Sequence, residues 1–434
     1  MTTIPELYSL FLQYRSVCTD SRKVAAGDLF FALRGPSFDG NKYAADALKK
    51  GAAYAIIDNA DFAISDKYLL VPDALLALQQ LARHHRNHLN IPFIAIAGSN
   101  GKTTTKELLR AVLSTSFETF ATPGNFNNQI GVPLSIFMIP ERTEVAIIEM
   151  GARHMGDIKE LCEICNPTHG LVTNNGKDHL ETFGSLENTL KTNAELYDHL
   201  ATNNGLAFIN IRHQDLMGAA AKVKNIFSYG DHQQAEIRGS IASLFPYLRV
   251  RYVTEQAKIN IESHLIGQYN FENIMAAVAV GKHFGVNDRL IAKAIADYVP
   301  SNNRSQLLQQ GSNTFIMDAY NANPSSMKEA LDNFALIDHP NKVVILGDML
   351  ELGPTSQEEH LLTVLQLKKI PLSKIILIGP EFGRVKDKLD CLHFETAEEG
   401  QQWFAQENFD HTLFLLKGSR GIAVEKVLGD WYKP

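Results

Sequence analysis

The sequence predicts an α/β protein of three domains: a small N-terminal α/β unit, a central parallel sheet carrying a phosphate loop, and a C-terminal Rossmann-like α/β unit. Three observations carry that prediction. Short apolar runs rich in β-branched residues alternate with longer helical patterns along the chain, as in parallel sheets covered by helices. One such run, Phe93-Ile94-Ala95-Ile96-Ala97, ends in Gly98-Ser99-Asn100-Gly101-Lys102-Thr103-Thr104 and then a helical stretch from Glu107 to Leu113. A further set of strands follows residue 300 without a phosphate loop. The expected boundaries are 1–88, 89–299 and 300–434, in keeping with about 100–200 residues per domain.

Composition narrows the class. The chain of 434 residues is 45% hydrophobic and 21% charged, with a formal net charge of −7, ordinary for a soluble globular protein. That charge argues against a nucleic-acid coat and a polybasic membrane binder, but anionic substrates need only local positive charge. The start, Met1-Thr2-Thr3-Ile4-Pro5-Glu6, lacks a basic segment followed by an apolar one, so no signal peptide is expected. No apolar run approaches the ~18–20 residues of a spanning helix, so no membrane insertion is expected. Four cysteines in this length make no disulfide framework, and a reducing cytoplasm fits.

In the first unit, residues 28–33 and 53–57 read as strands around a helix from Tyr43 to Lys50 that Gly51 ends. Loops at 19–23 and 35–40 hold hydroxyls, Arg22 and glycines. They suit a phosphate-bearing ligand and serve equally well as ordinary turns. A helix over 74–90 leads to Pro92, expected as a hinge. His84, His85 and His88 lie in its polar stretch and are expected in solvent.

The second unit holds the chemistry. Gly98 and Gly101 let backbone N–H groups approach phosphate oxygens because no Cβ intervenes. The following helix adds the partial positive charge of its N-terminus. Lys102 can reach terminal phosphates and the Thr103 hydroxyl can ligate Mg²⁺. The usual spacing wants a glycine where this chain has Ile96, so the loop is a variant. Strands are expected over 144–149 and 170–174, with a helix over 186–200. Glu149 stands at a strand end, where an acidic group beside a phosphate loop serves as a second Mg²⁺ ligand. Asn174 and His179 follow the next strand. Cys162 and Cys165 form a lone C-x-x-C on a helical pattern. A zinc site would want two more ligands, so core packing is the preferred reading. Residues 237–241 and 248–253 read as short β segments, and 270–280 as a helix.

The third unit has expected strands at 314–317, 343–346, 375–378 and 413–416. The loops 318–327, 347–353 and 417–421 follow these strands, on the ligand side of such a sheet.

These stretches together resemble the Mur ligase family, which builds the peptide stem of bacterial peptidoglycan. The loop Gly98–Thr104 is similar to that family's shortened phosphate loop. Residues 267–273, Asn303-Arg304 and the loop from Asp318 match further motifs in the family's order. Residues 124–134, 149–153, 318–327 and 347–353 resemble the branch that adds a dipeptide, and residues 20–22 and 27–33 resemble its uridine-nucleotide domain.

The resemblance implies an ATP- and Mg²⁺-dependent ligase, acting as a monomer. The terminal carboxylate of a UDP-N-acetylmuramoyl-tripeptide would attack ATP to form an acyl phosphate. The amine of D-alanyl-D-alanine would then displace phosphate. It further implies residue roles. Gly98, Ser99, Asn100, Gly101, Lys102, Thr103 and Thr104 would hold the ATP phosphates, Asn270 the adenine, and Arg304 and Asp318 the ribose and phosphates. Thr103, Glu149 and His179 would hold metal. Asn127, Asn128 and Arg153 would position the muramoyl-peptide. Asn321, Asn323 and Ser325 would hold the dipeptide, and Ser21 and Arg22 the uridine diphosphate. Lys102, His179, Asn128 and Arg153 would form the catalytic set.

Two rivals stay open at this point. One is another amide ligase of the same fold, such as a diamino-acid-adding or folylpolyglutamate-type enzyme. The other is a nucleotide-driven switch ATPase that forms no bond. Two departures from the family pattern stand out. Tyr269 replaces a frequent histidine. Several members also carry a lysine fourteen residues after the histidine matching His179, carbamylated to hold a second Mg²⁺; here that position is Asn193. An amide cannot be carbamylated. Lys191 lies about 200° around a helix from Asn193 and reaches that place only through a local irregularity.

Overall fold

The computed structural model describes residues 1–254, 257–301 and 303–431. Asn302 and the last three residues of the expected 300–434 unit lie outside the described residues. Three main sheets organise the chain, of four, nine and six strands.

The first sheet is parallel: Val17–Cys18, Leu29–Phe31, Tyr54–Ile57 and Tyr68–Leu70. Leu29, Phe30 and Phe31 are all buried, as befits a strand covered on both faces. The helix Ile4–Tyr14 begins at Thr3, whose backbone N–H donates to the Glu6 carboxylate at 2.7 Å, a reciprocal cap that fixes its start.

In the nine-stranded sheet, Phe93–Ala97 lies between Val145–Glu149 and His169–Val172, all parallel. Ile96 pairs with Glu149, which puts the carboxylate one strand from the phosphate loop. The short β segments around 236–262 join this sheet. Ile237–Ser243 pairs parallel with Asn225–Gly230, and Arg249–Val253 and Lys258–Glu262 complete that edge antiparallel. The third sheet has Lys342–Gly347 and Leu413–Lys417 at its centre. Its sole antiparallel pairing among the described residues is that of the edge strand Gln306–Gln310 with Asn313–Met317.

Pro92 was expected as a hinge, and the packing contradicts this. Helix Ala74–Arg86 lies against helices Gly131–Phe137 and Asp157–Cys165, and one apolar core runs from Leu7 and Phe11 through Phe93 to Ile158 and Cys162. The Arg86 guanidinium stacks 3.7 Å over the Phe93 ring and donates to Cys165 O at 2.7 Å and Asn166 O at 3.0 Å. Shared apolar burial joins the first two units. By contrast, many of the contacts between the central and third sheets are polar.

His85 also departs from expectation. It is buried rather than solvated, 4.9 Å from the Phe11 ring, because the apolar helix Ile4–Tyr14 covers that face. Burial pushes its imidazole down to about 4, and Nδ1 has no hydrogen-bond partner. The ordinary value is ~6.5, so the unfolded chain takes up the proton first. Stability is therefore intact above that pH and falls as the pH drops toward about 4. The loss amounts to about 3 kcal/mol. Thermal melts should show this decline, and His85→Phe should flatten it; an equally steep decline in the variant would contradict the assignment.

Cys162 and Cys165 are buried in the core, as expected, and burial pushes the Cys165 thiol up to about 12. Neither offers a thiolate, and no cluster of His, Cys, Asp and Glu suited to a metal ion is found among the described residues.

Candidate active site

The phosphate loop is shaped by what touches it. Gly98 has φ +120, and a Cβ there would lie 2.2 Å from Thr173 Oγ1. Gly101, φ +80, caps helix Lys102–Leu113, and its missing Cβ leaves room for the Asn273 amide. The Asn100 backbone N–H donates to Asn174 Oδ1 at 3.0 Å. Ser99 Oγ donates to Asp178 Oδ1 at 3.0 Å. The loop therefore rests on the next strand and its turn. Lys102 is half-buried and its ammonium donates to Gly98 O and Ser99 O.

A cavity of about 850 Å³ opens over this loop, between the central and third sheets. It gathers most of the residues expected at the site: Ser99 to Thr104, Asn127, Asn128, Glu149, Arg153, His179, Asn270, Arg304, Asp318, Asn321 and Asn323. Gly98 underlies it. Ser325 does not line it; its hydroxyl accepts from the Lys177 backbone N–H at 2.8 Å, a contact that docks the third sheet on the central one. Ser21 and Arg22 lie apart in the first unit, where the Arg22 guanidinium pairs with Asp20 at 2.8 Å and is largely exposed.

Glu149 is 2% exposed. Its Oε1 accepts from Asn127 Nδ2 at 2.9 Å, while Oε2 has no hydrogen-bond partner. The Lys106 ammonium faces Oε2 at 3.6 Å, as a charge and not as a hydrogen-bond donor, so this oxygen keeps a lone pair that no donor occupies and the carboxylate fits a divalent ion. Thr103 lines the same cavity as Glu149.

Elsewhere in the cavity lining, Asn270 is buried and donates to Ile266 O at 2.7 Å and to Ser305 Oγ at 3.2 Å. The Tyr269 hydroxyl lies 3.0 Å from Ser305 Oγ. The tyrosine thus replaces the imidazole with a hydrogen-bonded hydroxyl, and desolvation pushes its phenol well above the ordinary range, keeping it neutral. The Arg304 guanidinium stacks 3.5 Å over the Tyr320 ring. The Asp318 carboxylate accepts from Lys417 Nζ at 2.7 Å.

The third sheet closes the cavity through polar contacts. Asn323 Nδ2 donates to Asn100 Oδ1 at 2.9 Å, and Lys177 pairs with Glu359 at 2.6 Å. Glu351 bridges His179 at 2.7 Å and Arg153 at 3.4 Å. Neither Glu351 nor Lys417 was singled out in the sequence, although Glu351 falls in the loop 347–353 and Lys417 ends the strand Leu413–Lys417, at the head of the segment 417–421.

Asn193 is buried on helix Leu186–Thr202, and its Oδ1 accepts from the Gly98 backbone N–H at 3.1 Å. The helix carries no irregularity, and Lys191 points outward to Glu187 at 2.8 Å. The position expected to lack a carbamate is thus an amide that fixes the phosphate loop. Activity should be indifferent to stripping CO₂ and to Lys191→Ala; loss of turnover under either treatment would contradict this arrangement.

Three segments of the chain match models of one protein family. Residues 13–86 match the description "Mur ligase family, catalytic domain", residues 96–281 "Mur ligase middle domain", and residues 303–420 "Mur ligase, glutamate ligase domain". The UDP-N-acetylmuramoyl-tripeptide–D-alanyl-D-alanine ligase of Bacillus subtilis is 32% identical over 428 residues, 95% of this chain and 92% of the relative. A crystal structure of MurF from Acinetobacter baumannii superposes with a TM-score of 0.87 at 29% identity, over 96% of this chain and 93% of that one. The MurF ligase of Thermotoga maritima in complex with ADP gives a TM-score of 0.87 at 27% identity, over 97% of each chain.

Proposed function

The chain belongs to the Mur ligase family, and from that premise we propose that it joins D-alanyl-D-alanine to the terminal carboxylate of UDP-N-acetylmuramoyl-tripeptide at the expense of ATP, in cytoplasmic peptidoglycan precursor synthesis. The observation that carries this reading is the end-to-end similarity, at 32% identity, to a ligase named for that reaction. The cavity supports it, since it offers loops from two sheets to three reactants.

The chemistry asks the site to bring two anions together. The tripeptide carboxylate must approach the triphosphate, and fixed positive charge must offset their repulsion. Lys102 supplies part of that charge from the loop, and the N-terminus of helix Lys102–Leu113 adds its N–H groups. Thr103 and Glu149 would hold Mg²⁺, with His179 near a second ion; when bound, the metal supplies further positive charge against the phosphate oxygens. Asn127, already tied to Glu149, and Asn128 and Arg153 would hold the muramoyl-peptide so that its carboxylate meets the γ-phosphate. Asn270, Arg304 and Asp318 would hold the nucleoside.

Attack of the carboxylate forms an acyl phosphate and releases ADP. The dipeptide amine, held beside Asn321 and Asn323, then attacks the acyl carbon, and phosphate leaves as the amide forms. Docking of the third sheet through Asn323, Ser325 and Glu351 would exclude water from the acyl phosphate. Ser21 and Arg22 would contact the uridine diphosphate from the first unit.

A panel of amine acceptors tests the specificity. D-Alanyl-D-alanine should support ADP formation with the UDP-tripeptide. A single diamino acid acting on the UDP-dipeptide precursor should not, and equal turnover with that pair would reassign the enzyme within the family.

A further inference from the structure

We propose that Lys106 is a positioning residue for the metal-binding carboxylate: a fixed counter-cation beneath Glu149 that keeps the site from taking up a divalent ion before the nucleotide arrives. This rests on the reading of Glu149 as a Mg²⁺ ligand.

Lys106 stands one turn into the helix that follows the phosphate loop, and its side chain is 0% exposed. Lysine is almost never found fully buried unless paired. Its ammonium donates to Thr122 O at 2.7 Å and Gly124 O at 3.3 Å. It also lies 3.3 Å from Glu107 Oε1 and 3.6 Å from Glu149 Oε2. The last is the oxygen left without a hydrogen-bond partner. Lys106 therefore faces Glu149 as a charge rather than as a hydrogen-bond donor.

The two carbonyls it holds belong to the turn after strand Thr119–Ala121, which leads into the segment bearing Asn127 and Asn128. Asn127 in turn holds the other oxygen of Glu149 at 2.9 Å. One buried ammonium thus fixes, from below, both the metal carboxylate and the root of the substrate loop. Lys106 does not line the cavity, whereas Lys102 does. The two lysines of this helix face different ends of the same problem.

The electrostatic consequence follows from distance. A bare buried carboxylate attracts a divalent ion on its own; the Lys106 ammonium, shared between Glu107 and Glu149, offsets part of that attraction. Metal then binds well only when a polyphosphate adds negative charge. The site is thereby tuned to take metal and nucleotide together.

Mn²⁺ titration followed by electron paramagnetic resonance, in the absence and presence of ADP, tests this. The wild-type protein should bind Mn²⁺ weakly alone and at least about tenfold more tightly with ADP. Lys106→Gln should raise the nucleotide-free Mn²⁺ affinity by about tenfold or more, while Lys106→Arg should follow the wild type. Equal nucleotide-free affinity in the wild type and Lys106→Gln would overturn the proposal. So would wild-type protein that binds Mn²⁺ equally with and without ADP, a comparison that needs no folded variant. Glu149→Gln separates the two layers. Unchanged Mn²⁺ binding with ADP in that variant rejects Glu149 as a ligand. Binding lost there, with Lys106→Gln behaving as the wild type, rejects only the role of Lys106.

Discussion

Lys102→Ala is expected to lower amide formation by about 10²–10³-fold at saturating Mg-ATP, the usual cost of removing one well-placed charge from a reaction centre. The fold should survive. Lys102 is half-buried, and its ammonium donates to carbonyls of its own loop, Gly98 O and Ser99 O. Ser99 lines the cavity, where water can take the place of the lost ammonium. The loss therefore falls on the encounter of carboxylate with triphosphate, not on packing. Steady-state ligation and a denaturation curve on the same preparation separate the two effects. Near-normal turnover, or a collapse of stability matching the loss of activity, would contradict this role.

Gly98→Ala should be the more damaging change to nucleotide binding itself. Its backbone lies at φ +120, and the added Cβ would meet Thr173 Oγ1 at 2.2 Å and Thr173 N at 2.8 Å. The strained backbone alone costs about 1–3 kcal/mol, and the collision comes on top. Relief requires the loop to lift off the strand that supports it, which also breaks the Gly98 N–H to Asn193 contact at 3.1 Å. ADP binding should be lost together with a lowered melting temperature. Gly285→Ala is the control: φ is +76 there, but nothing lies within 4 Å of a Cβ. It should cost about 1 kcal/mol of stability and leave ADP affinity intact. Equal ADP affinity in Gly98→Ala would refute the fitted-loop picture.

The parts of this molecule that were legible in its sequence are those whose causes are local. Gly98 to Thr104 could be read because strand, glycines, lysine and helix follow one another within a few residues. Glu149 could be read because it ends an apolar run, and its place beside the loop follows from strand adjacency, Ile96 against Glu149. The parts that escaped depend on distant packing. Lys106 reads as an ordinary helix lysine until the turn at Thr122–Gly124 is laid over it. Glu351 has no visible partner in the sequence until the third sheet docks and brings it to Arg153 and His179. His85 looked solvated because its neighbours on the helix are polar, while the surface that buries it, around Phe11 and Phe137, comes from elsewhere in the chain. The weld between the first two units was hidden for the same reason. Pro92 marks a break in secondary structure, and nothing local reveals that Arg86 packs across it onto Phe93.

Asn193 lies between these cases. Its identity was readable and ruled out a carbamate, but its contact with the Gly98 backbone was not. The amide supports the loop through that contact and carries no charge.

The most direct test of the ligase account follows phosphate release from ATP using UDP-muramoyl-tripeptide whose terminal carboxylate carries heavy oxygen. With D-alanyl-D-alanine present, phosphate should appear in step with amide, and each phosphate should carry one heavy oxygen taken from the carboxylate. Omitting either the tripeptide or the dipeptide should abolish sustained release. Release of unlabelled phosphate, at a rate indifferent to both substrates, would contradict the acyl phosphate and identify a nucleotide-driven ATPase instead.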